Sequence, residues 1–338
     1  MDRYSRQRLF SHIGDAGQER LRASRVTLIG CGALGTHIAQ HLARAGVGFL
    51  RICDRDFVEL DNLQRQVLFD EDDARRRLPK AVAAADKLQR INHEVRIEAR
   101  VTDVTAHNVL ELIDGADLVL DGTDNFSTRF LINEACVSAN LPWVYGGCVA
   151  AHGMVLAVLP GETACFACLV PGAPGPGRGE TCDTVGVIGP VVAVVAGLQA
   201  AEAFKILVGD RQAVGRALVT VDLWNNELRA LRISREVACP VCVRREFPVL
   251  RSPRAEGTTT VLCGRNAVQV SPPLAADLDL AELERRLSSI GPTRKNDYVL
   301  VFGQDDLEAT LFRDGRAVIK GTADPAVARS FYARYVGM

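Results

Sequence analysis

The sequence predicts an α/β fold, a doubly wound sheet carrying a metal-stapled segment, followed by a small C-terminal α+β unit. Three observations carry that reading. An apolar strand, Arg25-Val26-Thr27-Leu28-Ile29, opens into Gly30-Cys31-Gly32-Ala33-Leu34-Gly35 and then a helix from Thr36 to Ala45. A second strand, Phe49-Leu50-Arg51-Ile52-Cys53, ends on Asp54, about 20 residues beyond the glycines. Two cysteine pairs, Cys165-Phe166-Ala167-Cys168 and Cys239-Pro240-Val241-Cys242, share one internal spacing.

The glycines let the backbone turn tightly and approach a phosphate, and the N–H groups at the start of the following helix supply partial positive charge. Alone, GxGxxG is also read as a plain strand-to-helix turn. Its place between a β-branched strand and a helix, with an acid closing the next strand where ribose hydroxyls bind, makes it a Rossmann-like nucleotide site of Gly30, Gly32, Gly35 and Asp54. Arg65 follows within a few residues, and Pro79-Lys80 opens another helix. Those cations suit a triphosphate, whereas a nicotinamide site needs little positive charge beyond its loop.

A chain of 338 residues with 48% apolar and 24% charged residues is globular and long enough for one α/β core and a smaller unit. The formal net charge of -1 excludes a polyanion or anionic-membrane binder that works by basic excess. Met1 to Gln7 is too polar for a secretory signal, and the uncharged stretch from Val185 to Ala201 contains Gly186, Gly189, Pro190 and Gly197, which predicts a buried helix starting near Pro190 rather than a membrane span. A cytoplasmic enzyme is expected.

Residues 1–24 read as a polar arm with one or two short amphipathic helices, whose Arg3, Arg6 and Arg8 are either solvated surface or able to reach a nucleotide. The run Asp70 to Arg77 is a solvated helix face. Pro79 suits a helix start, and a helix from Lys80 to Ile91 follows; a lysine there opposes the helix dipole unless an anion lies nearby. Val95 to Val101 alternates as a strand, Asn108 to Ile113 is a short helix, and Leu118 to Asp121 is a buried strand ending in Asp121-Gly122-Thr123-Asp124-Asn125. Carboxylates at that end face the ligand crevice, so Asp124 is the candidate for magnesium; the plain role for either acid is to cap the helix that begins near Ser127. A helix from Arg129 to Ser138, a strand at Trp143 to Tyr145 and another at Met154 to Val158 continue the domain, and Pro171 to Gly179 reads as a loop.

Ten cysteines in a chain of this kind point to metal or thiol chemistry before disulfides. Two CxxC pairs match a tetrahedral site of Cys165, Cys168, Cys239 and Cys242 for zinc, structural because four thiolates leave no open position. Cys182 lies outside the pairs after a glycine- and proline-rich loop and is the candidate reactive nucleophile, while Cys31, Cys53, Cys136, Cys148 and Cys263 read as small buried hydrophobes. Residues 1–250 thus form the nucleotide domain, 251–257 a linker, and 258–338 a small α+β unit with strands at Thr258 to Leu262, Ala267 to Val270, Tyr298 to Phe302 and Glu308 to Phe312, helices at Leu280 to Ile290 and Pro325 to Val336, and a turn at Arg313 to Arg316.

These pieces together resemble the MoeB/ThiF family of adenylating enzymes, relatives of the ubiquitin-activating enzymes. The resemblance covers residues 3 to about 245 and rests on Arg3-Tyr4-Ser5-Arg6-Gln7, the glycine loop, Asp54, Asn62-Leu63-Gln64-Arg65-Gln66, Lys80, Asp121 to Asn125, Thr181-Cys182 and the two CxxC pairs. It implies ATP-dependent adenylation of the C-terminal glycine of a ubiquitin-like sulfur-carrier protein ending in Gly-Gly. By that resemblance Arg65 and Lys80 bind phosphates, Asn62 and Gln66 position them, Asp54 takes the ribose, and Asp124 holds magnesium. Arg6 resembles an arginine that reaches a neighbouring subunit's ATP site, which implies a homodimer, and Cys182 resembles a cysteine that some relatives link covalently to the carrier.

Nothing after Gly257 reads as a rhodanese loop, and the chain ends Tyr335-Val336-Gly337-Met338, so the sulfur donor, a cysteine desulfurase or rhodanese, and the carrier are expected to be separate proteins. A nicotinamide-dependent oxidoreductase on the same loop would leave Arg65, Lys80 and Asp124 without a task. A non-catalytic scaffold would not need every charged position filled. The pathway served, whether molybdopterin, thiamin, a thiolated tRNA base or another sulfur metabolite, stays open.

Overall fold

A computed structural model describes residues 2–172, 185–252, 258–262, 266–272 and 278–337, and the chain divides into two compact units, Met1–Ser252 and Pro253–Met338. The first is mixed α/β around an eight-stranded sheet. Its strands are β1 (Arg25–Ile29), β2 (Phe49–Asp54), β3 (Arg96–Val101), β4 (Leu118–Asp121), β5 (Trp143–Val149), β6 (His152–Val158), β7 (Ala217–Asp222) and β8 (Glu227–Arg232), in the order β3-β2-β1-β4-β5-β6-β7-β8. The pairs from β3 through β5 are parallel, and β5 to β8 are antiparallel. Parallel neighbours need crossovers, and helices supply them on both faces.

Alternation along the strands divides the core. Val26 and Leu28 of β1 pack with Ile38 and Leu42 of a helix at Ala33–Ala45, while Ile29 and Val119 join Ile132 and Cys136 of a helix at Phe126–Ser138. The first of these helices begins at Ala33, earlier than the periodicity indicated, because Gly32 serves as its N-cap residue; it ends at Gly46, in the left-handed region at φ +80°. The second begins at Phe126 because the Asn125 side chain accepts from Thr128 N at 2.8 Å, so Asn125 caps it rather than Asp121 or Asp124.

The arm at the N-terminus is anchored. Tyr4 is buried, and its hydroxyl accepts from Asn92 Nδ2 at 2.8 Å, while the same Asn92 amide donates to Ala43 O at 2.7 Å. Arg6, on the short helix Ser5–Arg8 that follows, stays exposed. The apolar helix runs Gly189–Leu207 with Pro190 in its first turn; by length and composition it would pass for a membrane span, yet it packs against β4, β5, β6 and the Ala33–Ala45 helix. Strands β7 and β8 add to the elements expected above: β7 carries the β-branched run Val219-Thr220-Val221, and β8 is exposed at every residue.

The glycine turn is built by close backbone contact. Gly30 has φ +89°, and a Cβ there would lie 2.6 Å from the Gly122 carbonyl carbon; a Cβ on Gly35 would lie 2.1 Å from Gly30 O. Both pack the β1 turn onto the end of β4, a contact no side chain would permit.

The second unit carries a six-stranded antiparallel sheet ordered Thr293–Lys295, Val299–Gln304, Leu307–Phe312, Ala317–Lys320, Ala267–Ser271, Thr258–Leu262. Helices Leu280–Leu287 and Pro325–Tyr335, capped by Asp279 and Asp324, share a core with Val268, Leu300, Phe302, Leu311 and Ile319.

Gly35→Ala forces a methyl onto the Gly30 carbonyl and is expected to destabilise the first unit by roughly 1–3 kcal/mol, read from urea denaturation. Gly32→Ala, where the nearest atom is Gln66 Nε2 at 3.9 Å, meets no such clash and should lower the midpoint less than Gly35→Ala, by the weaker N-cap that alanine makes.

Candidate active site and metal centre

The carboxyl ends of β1, β2 and β4 bring the glycine turn, Asp54 and the Asp121 to Asn125 segment to one edge of the sheet. Gly32 caps the Ala33–Ala45 helix without a side-chain bond, and its open surroundings leave the backbone approachable, unlike Gly30 and Gly35, which serve the packing of the turn. Asp54 ties the turn to β2: its Oδ2 accepts from Cys31 N at 2.6 Å and its Oδ1 from Asp56 N at 2.7 Å. Burial pushes the Asp54 carboxyl above the ordinary carboxylate range, and the Lys80 ammonium opposes that shift.

Lys80 opens its helix where a bridge between Phe57 and Pro79 brings the chain back beside β2. Its backbone N–H donates to Asp56 O at 2.9 Å and its Nζ lies 3.3 Å from Asp56 Oδ2, with the side chain only 4% exposed. The anion that a lysine at a helix start requires is thus present within the chain. Nearby, Asn62 is buried and its amide serves the turn at Leu60–Asn62, accepting from Glu59 N and donating to Asp61 Oδ1. Gln66 is buried against Gly32, and its Oε1 has no hydrogen-bond partner among the described residues. The Arg65 guanidinium is half-exposed and donates to Asp61 O at 2.7 Å, with no hydrogen bond to the glycine turn.

Asp121 and Asp124 separate cleanly. Asp121 is fully buried: its Oδ1 accepts from Thr123 N and Oγ1, and its Oδ2 from Arg129 Nε at 3.2 Å. Arg129 continues to Thr123 O and Gly146 O, between the rings of Phe126 and Tyr145. Gln199, the one amide in the apolar helix, donates to Asp121 O at 2.8 Å. Asp124, one residue past this locked turn, is exposed and makes no hydrogen bond or ion pair with another described residue. Arg6 is likewise exposed, without a side-chain partner among the described residues, and Cys182 lies outside them.

Sequence reading passed over Arg55, Asp56, Asp103, Arg129 and Gln199. Arg55 and Asp56 belong to the polar stretch after Asp54, although an arginine between two acids at the end of a strand is a signal of a charged site. Gln199 had a signal too, as a lone amide in an otherwise apolar run. Asp103 and Arg129 find their partners only through the fold.

The four paired cysteines converge on the far core. Their Sγ atoms lie within 4.8 Å of one another, with Cys165–Cys168 at 3.9 Å, Cys165–Cys239 at 3.7 Å and Cys168–Cys242 at 3.5 Å. Phe166, fully buried against Phe130, Trp143 and Tyr145, anchors the first pair, and Glu236 N donates to Cys168 Sγ at 3.4 Å. Cys148 is half-buried rather than buried, and Cys263 lies outside the described residues.

Fold and edge together define a mixed α/β protein with a glycine turn whose backbone is approachable at Gly32, flanking acids and cations, and a four-cysteine cluster. The ThiF family model matches residues 4–241, and the chain belongs to that family. It is 44% identical over 338 residues, 99% of each chain, to the sulfur carrier protein ThiS adenylyltransferase of Bacillus subtilis. It is also 40% identical to the sulfur carrier protein adenylyltransferase of Thermus thermophilus, over 72% of this chain and 90% of that one. Among solved structures, Escherichia coli MccB with ATP matches at a TM-score of 0.62 and 25% identity, covering 72% of this chain and 74% of that one.

Arg129→Met leaves Asp121 buried without its cation and is expected to cost about 3–5 kcal/mol at neutral pH in urea denaturation. Burial already holds the Asp121 carboxyl above the ordinary range, with Arg129 opposing the shift. In the variant the folded state binds that proton more tightly than the unfolded chain, so stability falls as pH rises and the loss is smaller under mildly acidic conditions.

Proposed function

We propose that this chain is an ATP-dependent adenylyltransferase that activates the C-terminal glycine of a ubiquitin-like sulfur carrier of the ThiS type. The observation that carries this is the 44% identity to the ThiS adenylyltransferase of Bacillus subtilis across 99% of both chains. In the reaction a carrier carboxylate oxygen attacks the α-phosphorus of ATP, the bond to the β-phosphate bridging oxygen breaks, pyrophosphate leaves, and the acyl adenylate remains for a sulfur donor.

Such a transfer is served by charge neutralisation and alignment of the phosphates more than by a covalent protein intermediate. Gly32 and the helix start at Ala33 receive phosphate oxygens, supported by the uncapped first turn. Asp54 accepts from the ribose hydroxyls with lone pairs that its two backbone bonds leave over. Lys80 and Arg65 neutralise phosphate charge, and Gln66, whose buried carbonyl oxygen has no partner among the described residues, orients a donor at the same place. Asn62 acts by shaping the turn that carries Arg65 and Gln66.

Asp124 would hold magnesium, which its exposed carboxylate just past β4 fits; when bound, the ion would supply positive charge to offset that of the phosphates. Arg6, exposed and unpartnered among the described residues, acts on the site of a second subunit in a homodimer. Cys182 is a covalent acceptor for the activated carrier, and the sulfur donor is a separate cysteine desulfurase or rhodanese. Cys165, Cys168, Cys239 and Cys242 would hold zinc, which would staple the Rossmann-like domain, 1–250: a tetrahedral site with bonds of about 2.3 Å needs sulfur atoms about 3.8 Å apart, and three of the six pairs lie at 3.5–3.9 Å with all four atoms within 4.8 Å.

Labelled pyrophosphate is expected to enter ATP only when a carrier ending in Gly-Gly is present, and Lys80→Ala to slow that exchange about 10²–10³-fold; exchange that ignores the carrier would overturn the assignment. Cys239→Ser, or a strong chelator, should release about one zinc per chain to a colorimetric indicator and lower the thermal midpoint.

A further inference from the structure

The strand order assigns a place to the base of the nucleotide. In β3-β2-β1, Asp54 ends the middle strand, with the glycine turn of β1 on one flank and the end of β3 on the other. Asp54 pairs in register with Val101, and Thr102 N donates to Asp54 O at 3.2 Å, so Thr102 and Asp103 directly border the acid. A nucleotide with its phosphates at the glycine turn and its ribose on Asp54 therefore extends its base over the end of β3.

Arg55 stands there. Its Nη1 donates to Asp103 Oδ1 at 3.1 Å, its Nε lies 3.8 Å from Asp56 Oδ1, and its side chain is 28% exposed. We propose that Arg55, oriented by Asp103, is the base-binding residue of this site, its guanidinium plane packing on the face of the purine. The inference rests on the nucleotide reading above. A guanidinium is planar, weakly hydrated and stacks on aromatic faces, and a carboxylate that already fixes its plane reduces the rotamer freedom lost on binding. Asp103 is a positioning residue in this arrangement, acting through Arg55.

Another role is open to Arg55, since it also lies among Asp54, Asp56, Asp103 and Asp124, where it balances charge. The two roles act on different parts of ATP. A base contact acts on adenosine alone, whereas charge balance acts on the phosphates.

The test is carrier-dependent pyrophosphate exchange by the full chain, with Arg55→Ala, Arg55→Met and Asp103→Asn, inhibited in turn by adenosine and by tripolyphosphate. The expected result for Arg55→Ala is a KM for ATP raised about tenfold, an adenosine inhibition constant raised by the same factor, and unchanged inhibition by tripolyphosphate. Arg55→Met keeps an apolar stem, and Asp103→Asn keeps the cation but loosens it, so each should move the same two constants by a smaller factor, with thermal midpoints recorded to show that both variants are folded. Weakened tripolyphosphate inhibition with adenosine unaffected would overturn the base contact in favour of charge balance. Unchanged constants in all three variants would overturn it while wild-type exchange left the adenylation reading standing; no exchange in the wild type would remove both.

Discussion

Contact between bare backbones is the constraint on which the rest of this fold depends. Gly30, Gly35 and Gly122 meet with no side chain between them, and that approach seats the β1 turn on the end of β4. From it follow the direction of the Ala33–Ala45 helix, the approachable backbone at Gly32 and the closeness of Asp54 to Cys31 N. A methyl group at either buried glycine would separate two strand ends whose spacing sets the whole edge.

Around that turn, charges are arranged in two ways. The Asp121–Arg129 pair is sealed, with its hydrogen bonds taken up by Thr123, Gly146 and the packing of Phe126 and Tyr145, so it is a fastener between β4, β5 and the helix that follows. Asp54, Arg55, Asp56, Lys80 and Asp103 instead form an open-edged chain of alternating signs on β2, β3 and the Lys80 helix. Buried pairs of the first kind confer definition more than net stability. In the second kind Arg55, Asp56 and Asp103 are 28–30% exposed and keep contact with solvent, while Lys80 is buried at 4%.

The cysteine cluster performs on the opposite core what the glycines perform at the edge. Residues 165–168 and 239–242 are far apart in sequence, and Phe166 alone gives the first pair a deep apolar anchor. The second pair belongs to a segment of turns in which Val237 and Val243 are exposed but Val241 and Phe247 are buried in the same core, so the sulfur atoms add to an apolar attachment already present. A bound metal would close a long loop there, where chain entropy otherwise opposes docking.

Local signals in the chain determined the strands β1, β2 and β4, the glycine turn, the Lys80–Ile91 helix and the cysteine pairing, because periodicity, φ preference and short fixed spacings are written within a few residues. Exposed β8 left no such mark, and the cap at Asn125 lost to two neighbouring acids in the reading because three candidate caps stand almost side by side. Only the tertiary structure decided which of those acids was free, that Lys80 has Asp56 as its anion, that Gln199 reaches Asp121, and that Arg55 meets Asp103 beyond the ribose acid. Those contacts join residues separated by 24 to 78 positions, and their partners are chosen by strand order and register rather than by anything adjacent in the chain.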